Sequence, residues 1–250
     1  MKIVICGKGG SGKSTIIALL ARYYAKAGRR VLVIDTDESN AGLHRLLGIE
    51  APKDLMEFFG GKKSMMAALR DSRENNTRSP LDVAMAIENI PGLYIAKKDG
   101  ISLVAIGKIH QAGEGCACPM GVLAKQFISG LTLPANDIVL IDTEAGIEHF
   151  GRGIDKVCNV ILMVIDPSFE SLHLAQAVSE MAGSIEVPLY YVLNKTDEKT
   201  SLALQNAIHD KTRIIGDLRQ DPNLLAAGLE GKAVPEDYPV TANIVKSLNV

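Results

Sequence analysis

The stretch CGKGGSGKST, residues 6–15, satisfies the pattern G-x-x-x-x-G-K-[ST] from Gly7 to Ser14. Gly7, Gly9, Gly10 and Gly12 let successive backbone N–H groups turn toward one anion, and a helix opening behind them adds the positive end of its dipole. Lys13 is spaced to reach the β- and γ-phosphates of a nucleotide, the Ser14 hydroxyl is spaced to ligate Mg²⁺, and Ser11 and Thr15 complete the cradle. A second set of chemically competent residues is the pair Cys116 and Cys118 in GEGCACPMG, in a chain with only two other cysteines. Thiolates two residues apart converge on one soft or borderline metal ion when the backbone is extended or turned, and Gly113, Gly115 and Pro119 supply such a loop over 113–121.

These residues must be positioned by regular elements, and the hydrophobic pattern supplies them. Short β-branched runs at 2–6, 30–35, 137–142, 159–166, 188–194 and 213–217 alternate with helix-length segments at 14–27, 169–182 and 201–209. Near-continuous apolar strands separated by helices mean a parallel sheet covered on both faces. The expected fold is α/β, a doubly wound, mostly parallel sheet flanked by helices, formed by residues 1–250 as a single domain. The rhythm breaks over 50–115. There, 60–80 is polar and turn-rich, the composition of a mobile segment or lid, and Asp99-Gly100 between two apolar runs reads as a hairpin turn.

Lys8 makes the phosphate loop K-G-G-x-G-K-[ST], which resembles the deviant Walker A loop of the P-loop NTPase family that includes nitrogenase iron protein and the MinD and ParA ATPases. The resemblance implies that Lys8 crosses a homodimer interface to the phosphates bound by the other subunit, where it neutralises charge as an arginine finger does. It implies a homodimer closed by nucleotide. VIDTD ends the second strand, and its spacing from Lys13 matches the family's switch I aspartate to Asp37, which would orient the attacking water, with Asp35 as a helper near the metal. LIDTEAG ends a later strand as D-x-x-x-G, with Asp142 holding a Mg²⁺-bound water and Gly146 as a hinge responsive to the γ-phosphate.

The base site is read from NKTD, 194–197. N-K-x-D selects guanine in regulatory GTPases, because its Asp accepts from guanine N1 and N2. In the deviant Walker A family, Asn-Lys at this strand end also serves ATPases, so that Asn194 and Lys195 border the adenine and Asp197 caps the helix starting near Ser201. ATP is the expected nucleotide, GTP the alternative.

Two thiolates leave a Ni²⁺ or Zn²⁺ ion half coordinated. Two chains meeting on a twofold axis would supply four sulfurs. GCACP followed by DTEAGIEHFGRG (142–153) resembles the CooC-type accessory ATPases that insert nickel into carbon monoxide dehydrogenase. The resemblance implies a metallochaperone in which ATP hydrolysis gates Ni²⁺ or Zn²⁺ held by Cys116 and Cys118, with carbon monoxide dehydrogenase as client. Glu148, His149 and Arg152 would form the surface that couples switch to metal loop or client, and His110 and His149 are alternative extra ligands.

Composition bounds the competing readings. With 27 Lys and Arg against 29 Asp and Glu, spread along the chain, no basic stripe marks a nucleic-acid or membrane partner. The apolar run begins at Ile3, with no signal peptide pattern, so a cytoplasmic protein is expected. Cys6 and Cys158 lie in strand-like apolar runs and read as core residues. An iron–sulfur electron-transfer protein would need two widely separated cysteines flanking switch II. A positioning ATPase of the MinD or ParA type would need a membrane helix or DNA-binding face.

Overall fold

The computed structural model describes residues 1–77, 87–109 and 118–248. Eight strands among these residues form one sheet in the order β3-β4-β2-β5-β1-β6-β7-β8. They are β1 (Lys2–Gly7), β2 (Arg30–Asp35), β3 (Ala96–Lys98), β4 (Ile101–Ala105), β5 (Asp137–Asp142), β6 (Val160–Ile165), β7 (Leu189–Thr196) and β8 (Ile214–Arg219). Neighbours run parallel except β3, which pairs antiparallel with β4 at the edge. Asp99 (φ 49°) and Gly100 (φ 80°) make that hairpin turn with both central residues in the left-handed region, as a two-residue turn between twisted strands requires.

β5 and β6 are buried at every position, because helices cover both faces of the sheet. Successive side chains alternate sides. Ile3 and Ile5 pack with Ile16, Leu20 and Tyr24 of α1 (Lys13–Lys26) and Ile244 of α10 (Pro239–Ser247). Val4 and Cys6 pack on the other face with Phe127 of α5 (Cys118–Gly130), Val178 of α7 (Phe169–Ile185) and Leu204 of α8 (Glu198–Ala207). α2 (Leu43–Leu47), α3 (Leu55–Phe58), α6 (Glu148–Arg152) and α9 (Pro222–Glu230) are shorter pieces along the rims. The chain winds outward in both directions from β1, so the loops after β1, β2, β5, β6 and β7 gather beside one another, at the carboxyl edge where open α/β sheets bind ligands.

Two segments differ from the sequence expectation. Over 60–80, the turn-rich reading gives way to α4 (Gly61–Glu74), with Met65, Leu69 and Ser72 buried on one face. Four- and three-residue spacing brings those side chains onto the core, and burying Met65 and Leu69 contributes about 1.5–3 kcal/mol each, enough to outweigh a polar composition. Residues 78–80 of that segment lie outside the described residues. The expected loop over 113–121 is helical from Cys118, where α5 begins, and its Pro119 sits in the first turn, where a missing N–H costs nothing. Residues 113–117 lie outside the described residues.

Met65→Ala tests the docking of α4. A loss of about 2–5 kcal/mol in urea unfolding is expected, against less than about 0.5 kcal/mol were the residue on an exposed turn.

Candidate active site

The phosphate loop is built by the end of β1 and the start of α1. α7, α8 and α9 receive side-chain caps from Ser168, Asp197 and Asp221, whereas α1 begins at Gly12 with no side-chain cap. Its first N–H groups therefore remain available to an anion. Gly7 (φ 145°) and Gly12 (φ 102°) admit no side chain: a methyl group would come within 2.4 Å of the Val164 carbonyl oxygen and 2.1 Å of Asn194 Nδ2 respectively. Ser11 N–H donates to the Lys8 carbonyl at 3.1 Å and closes the loop, while Lys13 lies buried with Nζ 3.4 Å from the Gly7 carbonyl. Gly9 and Gly10 are exposed, and Thr15 follows in the first turn of α1. The buried Ser11 Oγ has no partner. Lys8 Nζ is 3.2 Å from Asp166 Oδ2 beyond β6, a carboxyl held below its usual range, against the opposing effect of burial, by the hydroxyls of Ser171 and Ser168 and by Lys8.

Strand register brings the carboxylates together. Asp35 pairs directly with Asp142 across β2 and β5, and Ser14 Oγ donates to Asp142 Oδ2 at 2.7 Å. Asp142 is fully buried and its Oδ1 has no partner. Burial, and then the charge of Asp35, push its carboxyl well above the usual range, opposed by Ser14 and Lys13. Burial raises Asp35 too, opposed by Lys108, whose Nζ lies 2.7 Å from Asp35 Oδ2. Asp37 is also buried, and its Oδ1 accepts from Ser39 N–H (2.9 Å), Ser39 Oγ (2.7 Å) and Asn40 N–H (3.2 Å). Asn40 Nδ2 in turn donates to Ser14 Oγ at 2.7 Å, which ties the loop after β2 to the start of α1. Gly146 (φ 96°) donates its N–H to the Gly7 carbonyl at 3.4 Å and so links the loop after β5 to the phosphate loop.

Beside the loop lies a pocket of about 300 Å³ bordered by Gly12, Thr15, Asn194, Lys195, Gln220 and Leu225. Asn194 donates from Nδ2 to the Ser11 carbonyl at 2.7 Å, and Lys195 from Nζ to the Gly10 carbonyl at 2.7 Å, so both brace the phosphate loop as well as lining the pocket. Asp197 does what a helix cap does. Its carboxylate accepts from Thr200 N–H at 2.7 Å in a capping box at the start of α8, three residues before the expected start, and those bonds hold it below the usual range. The carboxylate that would read guanine is thus committed to the helix.

The structure adds one residue that pattern reasoning did not single out, Lys108, and gives Arg152 its partners. Lys108 follows β4 at the same edge as the other strand-end residues, and applying the strand-end rule to VAIGK would have found it. Arg152 has one guanidinium nitrogen 2.8 Å from Glu38 Oε1 and another 2.8 Å from Glu144 Oε1. Burial, and then Glu38, raise Glu144, opposed by Arg152. His149 corrects the expectation of a surface cluster: it is 1% exposed beneath α6, with Nε2 3.5 Å from Asp155 Oδ1, while Glu148 is exposed and Arg152 half-buried. A ring buried there cannot serve as an extra ligand beside Cys118. Cys6 and Cys158 are buried free thiols, as expected of core residues, with burial pushing Cys158 up to about 12. Cys118 is exposed at the start of α5 and is held in a disulfide, so thiolate chemistry there requires reduction first. Cys116 and His110 lie outside the described residues, and among the described residues no group of three or more His, Cys, Asp or Glu side chains is placed to hold a metal ion.

The His149–Asp155 pair gives a test with a definite sign. Burial, then Lys13 and Arg152, lower His149 to about 3, and burial raises Asp155 to about 7. Between pH 4 and 6.5 folding therefore strips a proton from His149 and gives one to Asp155, and the two cancel. In Asp155→Asn only the histidine remains: the unfolded state then binds the extra proton, so stability falls with falling pH. Relative to wild type, urea unfolding across this range is expected to show a deficit widening by about 1.4 kcal/mol per pH unit.

Comparison with known proteins agrees with this geometry. The chain is 43% identical to an uncharacterized ATP-binding protein of Methanocaldococcus jannaschii, over 99% of each chain. It is 31% identical to the carbon monoxide dehydrogenase accessory protein CooC of Rhodospirillum rubrum, over 92% of this chain and 88% of that protein. In fold it matches the septum site-determining protein MinD of Pyrococcus horikoshii complexed with Mg-ADP, with a TM-score of 0.69 at 16% identity over 99% of this chain and 95% of that one. Residues 2–234 match the model of the CobQ/CobB/MinD/ParA nucleotide binding domain, and the chain belongs to that family of P-loop ATPases.

Proposed function

We propose that this ATPase is a metallochaperone that binds Ni²⁺ or Zn²⁺ as cargo through Cys116 and Cys118 at a homodimer interface and couples ATP hydrolysis to insertion of the metal into carbon monoxide dehydrogenase. The observation that carries the reading is the place of Cys118. It stands exposed at the N-terminal end of α5, three residues before Gly121, which packs under the Arg152 that holds the loops after β2 and β5 together. The 31% identity to an accessory protein of carbon monoxide dehydrogenase supports the same client.

In this reading the N–H groups of Gly9, Gly10 and Gly12 to Thr15 hold the phosphates, Lys13 compensates their charge, and Asn194 and Lys195 border the base. The buried Asp142 Oδ1 without a partner, beside Ser14 Oγ, fits a magnesium ion held by Ser14 and, through water, by Asp142; bound there it would neutralise charge on the β- and γ-phosphates. Asp37 orients the attacking water. Lys8, parked on Asp166 in the single chain, is released to the phosphates of the other subunit as the dimer closes. At the α5 N-terminus the helix dipole favours the Cys118 thiolate once it is reduced. Four sulfurs from two chains then complete the cargo site.

A membrane-positioning role is less well supported. α10 buries Thr241, Ile244 and Val245 against β8 and α1, so its apolar face is already covered. An iron–sulfur role would need Cys158, whose thiol is buried and donates to the Ile154 carbonyl at 3.3 Å.

Two measurements test the function. Asp37→Asn is expected to slow ATP hydrolysis by about 10²-fold or more while leaving nucleotide binding in place, read by phosphate release and by a fluorescent ATP analogue. Under reducing, anaerobic dialysis with non-hydrolysable ATP, about one Ni²⁺ or Zn²⁺ per two chains is expected. Cys116→Ser/Cys118→Ser should lose it, and metal binding indifferent to that double change would sink the proposal.

A further inference from the structure

Cys118 lies in the first turn of α5, and both the chain leading toward it and the turn that carries it are tied to one short segment, Asp35 to Asn40. On the approach, Ile106 N–H donates to the Asp35 carbonyl at 2.9 Å and Ile109 N–H to the Glu38 carbonyl at 3.1 Å. Between them Lys108, largely buried, sends its ammonium into the same segment: Nζ pairs with Asp35 Oδ2 and donates to the carbonyls of Asp37 and Asn40. Its backbone N–H is anchored separately, on Asp54 Oδ2 at 2.8 Å. Within α5, Gly121 lies under Arg152 so closely that a methyl group there would sit 2.5 Å from Arg152 Cδ. The guanidinium of that arginine reaches Glu38, next to Asp37, and Glu144, two residues beyond Asp142.

The same segment touches the phosphate loop. Asn40 Nδ2 donates to Ser14 Oγ, which donates to Asp142, so Ser14 is separated from Lys108 by a single residue, Asn40. A shift of the loop after β2 that broke the Asn40–Ser14 bond would load Lys108, whose neighbour Gly107 lies against Met120 of α5, and Arg152, which lies over Gly121 of the same helix.

We propose that Lys108 and Arg152 are positioning residues that couple the nucleotide site to the first turn of α5, so that bound nucleotide changes the accessibility of the Cys118 thiol. Neither needs to touch nucleotide or cargo. Arg152 is suited to the task because its planar fork holds two carboxylates at once, whereas a lysine at 152 would hold one. The coupling itself stands on the contacts above; its use in gating metal rests on the metallochaperone reading. Where that reading holds, linkage makes the effect reciprocal, and metal at Cys118 tightens nucleotide by the factor by which nucleotide tightens metal.

The test uses the full chain, reduced, in a Cys116→Ser background, so that Cys118 is followed against the two buried thiols Cys6 and Cys158. Its alkylation rate is measured by peptide mass spectrometry with and without saturating Mg²⁺ and non-hydrolysable ATP, saturation being checked with a fluorescent analogue. The expected result is a change of about fivefold or more in the parent protein, falling below about twofold in Arg152→Gln and in Lys108→Met. Should either neutral variant melt early, Arg152→Lys decides, since it keeps the charge and much of the stem over Gly121; a reduced shift supports the fork. No shift in the parent, or a full shift in all the variants, overturns the coupling. Ni²⁺ and Zn²⁺ titration of the wild-type chain separates the two ideas: a nucleotide-dependent shift with no metal bound keeps the coupling and discards the metallochaperone.

Discussion

A buried carboxylate organises the site. Asp142 ends the strand beside β1, beyond the reach of water, and pairs in register with Asp35 on β2, so two acids stand side by side where neither can be solvated. An ionised carboxylate in such a place costs several kcal/mol unless it finds a cation or donors. The protein treats the two differently. Asp35 receives Lys108, while Asp142 receives the Ser14 hydroxyl on one oxygen and keeps the other without a partner. That asymmetry leaves one acid satisfied by the chain itself and the other suited to a cation brought in with nucleotide.

The loops that surround the pair follow from the same constraint. Asn40 holds Ser14 from above, Asp37 curls its own loop by accepting from Ser39 and Asn40, and Arg152 closes the circle by holding Glu38 and Glu144 together. Each contact alone is modest, on the order of 1–3 kcal/mol for a charge-assisted hydrogen bond. The first two share Asn40, and Glu38 adjoins Asp37 in the chain, so their effects on removal are not expected to add. A network of this kind has few alternative arrangements, and through Arg152 over Gly121 it reaches from the loops after β2 and β5 to α5.

The open end of α1 and the closed ends of α7, α8 and α9 show the same selectivity at the backbone level. The N-termini of α7, α8 and α9 are sealed by Ser168, Asp197 and Asp221 within the chain, while that of α1 is left to the phosphate loop. The commitment of Asp197 to its capping box also explains how an N-K-x-D string, which elsewhere reads guanine, can sit in an ATP-binding chain without its aspartate reading guanine.

Most of the fold was legible in the residues because it is set by local periodicity and by one end-of-strand rule. Continuous apolar runs fixed the parallel strands, the glycine spacing marked the phosphate loop, Asp99-Gly100 set the edge hairpin, and Asp37 and Asp142 were placed by where their strands stop. Helix α4 was not legible, since only the core under Met65 and Leu69 makes a polar stretch worth ordering. Neither were the partners of Lys108, Arg152 and His149, which come from strands and helices distant in the chain. Sequence by itself determined which side chains could hold phosphate, magnesium or a soft metal, because those capacities belong to residue type and local spacing. Only the tertiary structure decided which of them share a buried space, because strand register and helix packing set the distances over which charges attract or exclude one another.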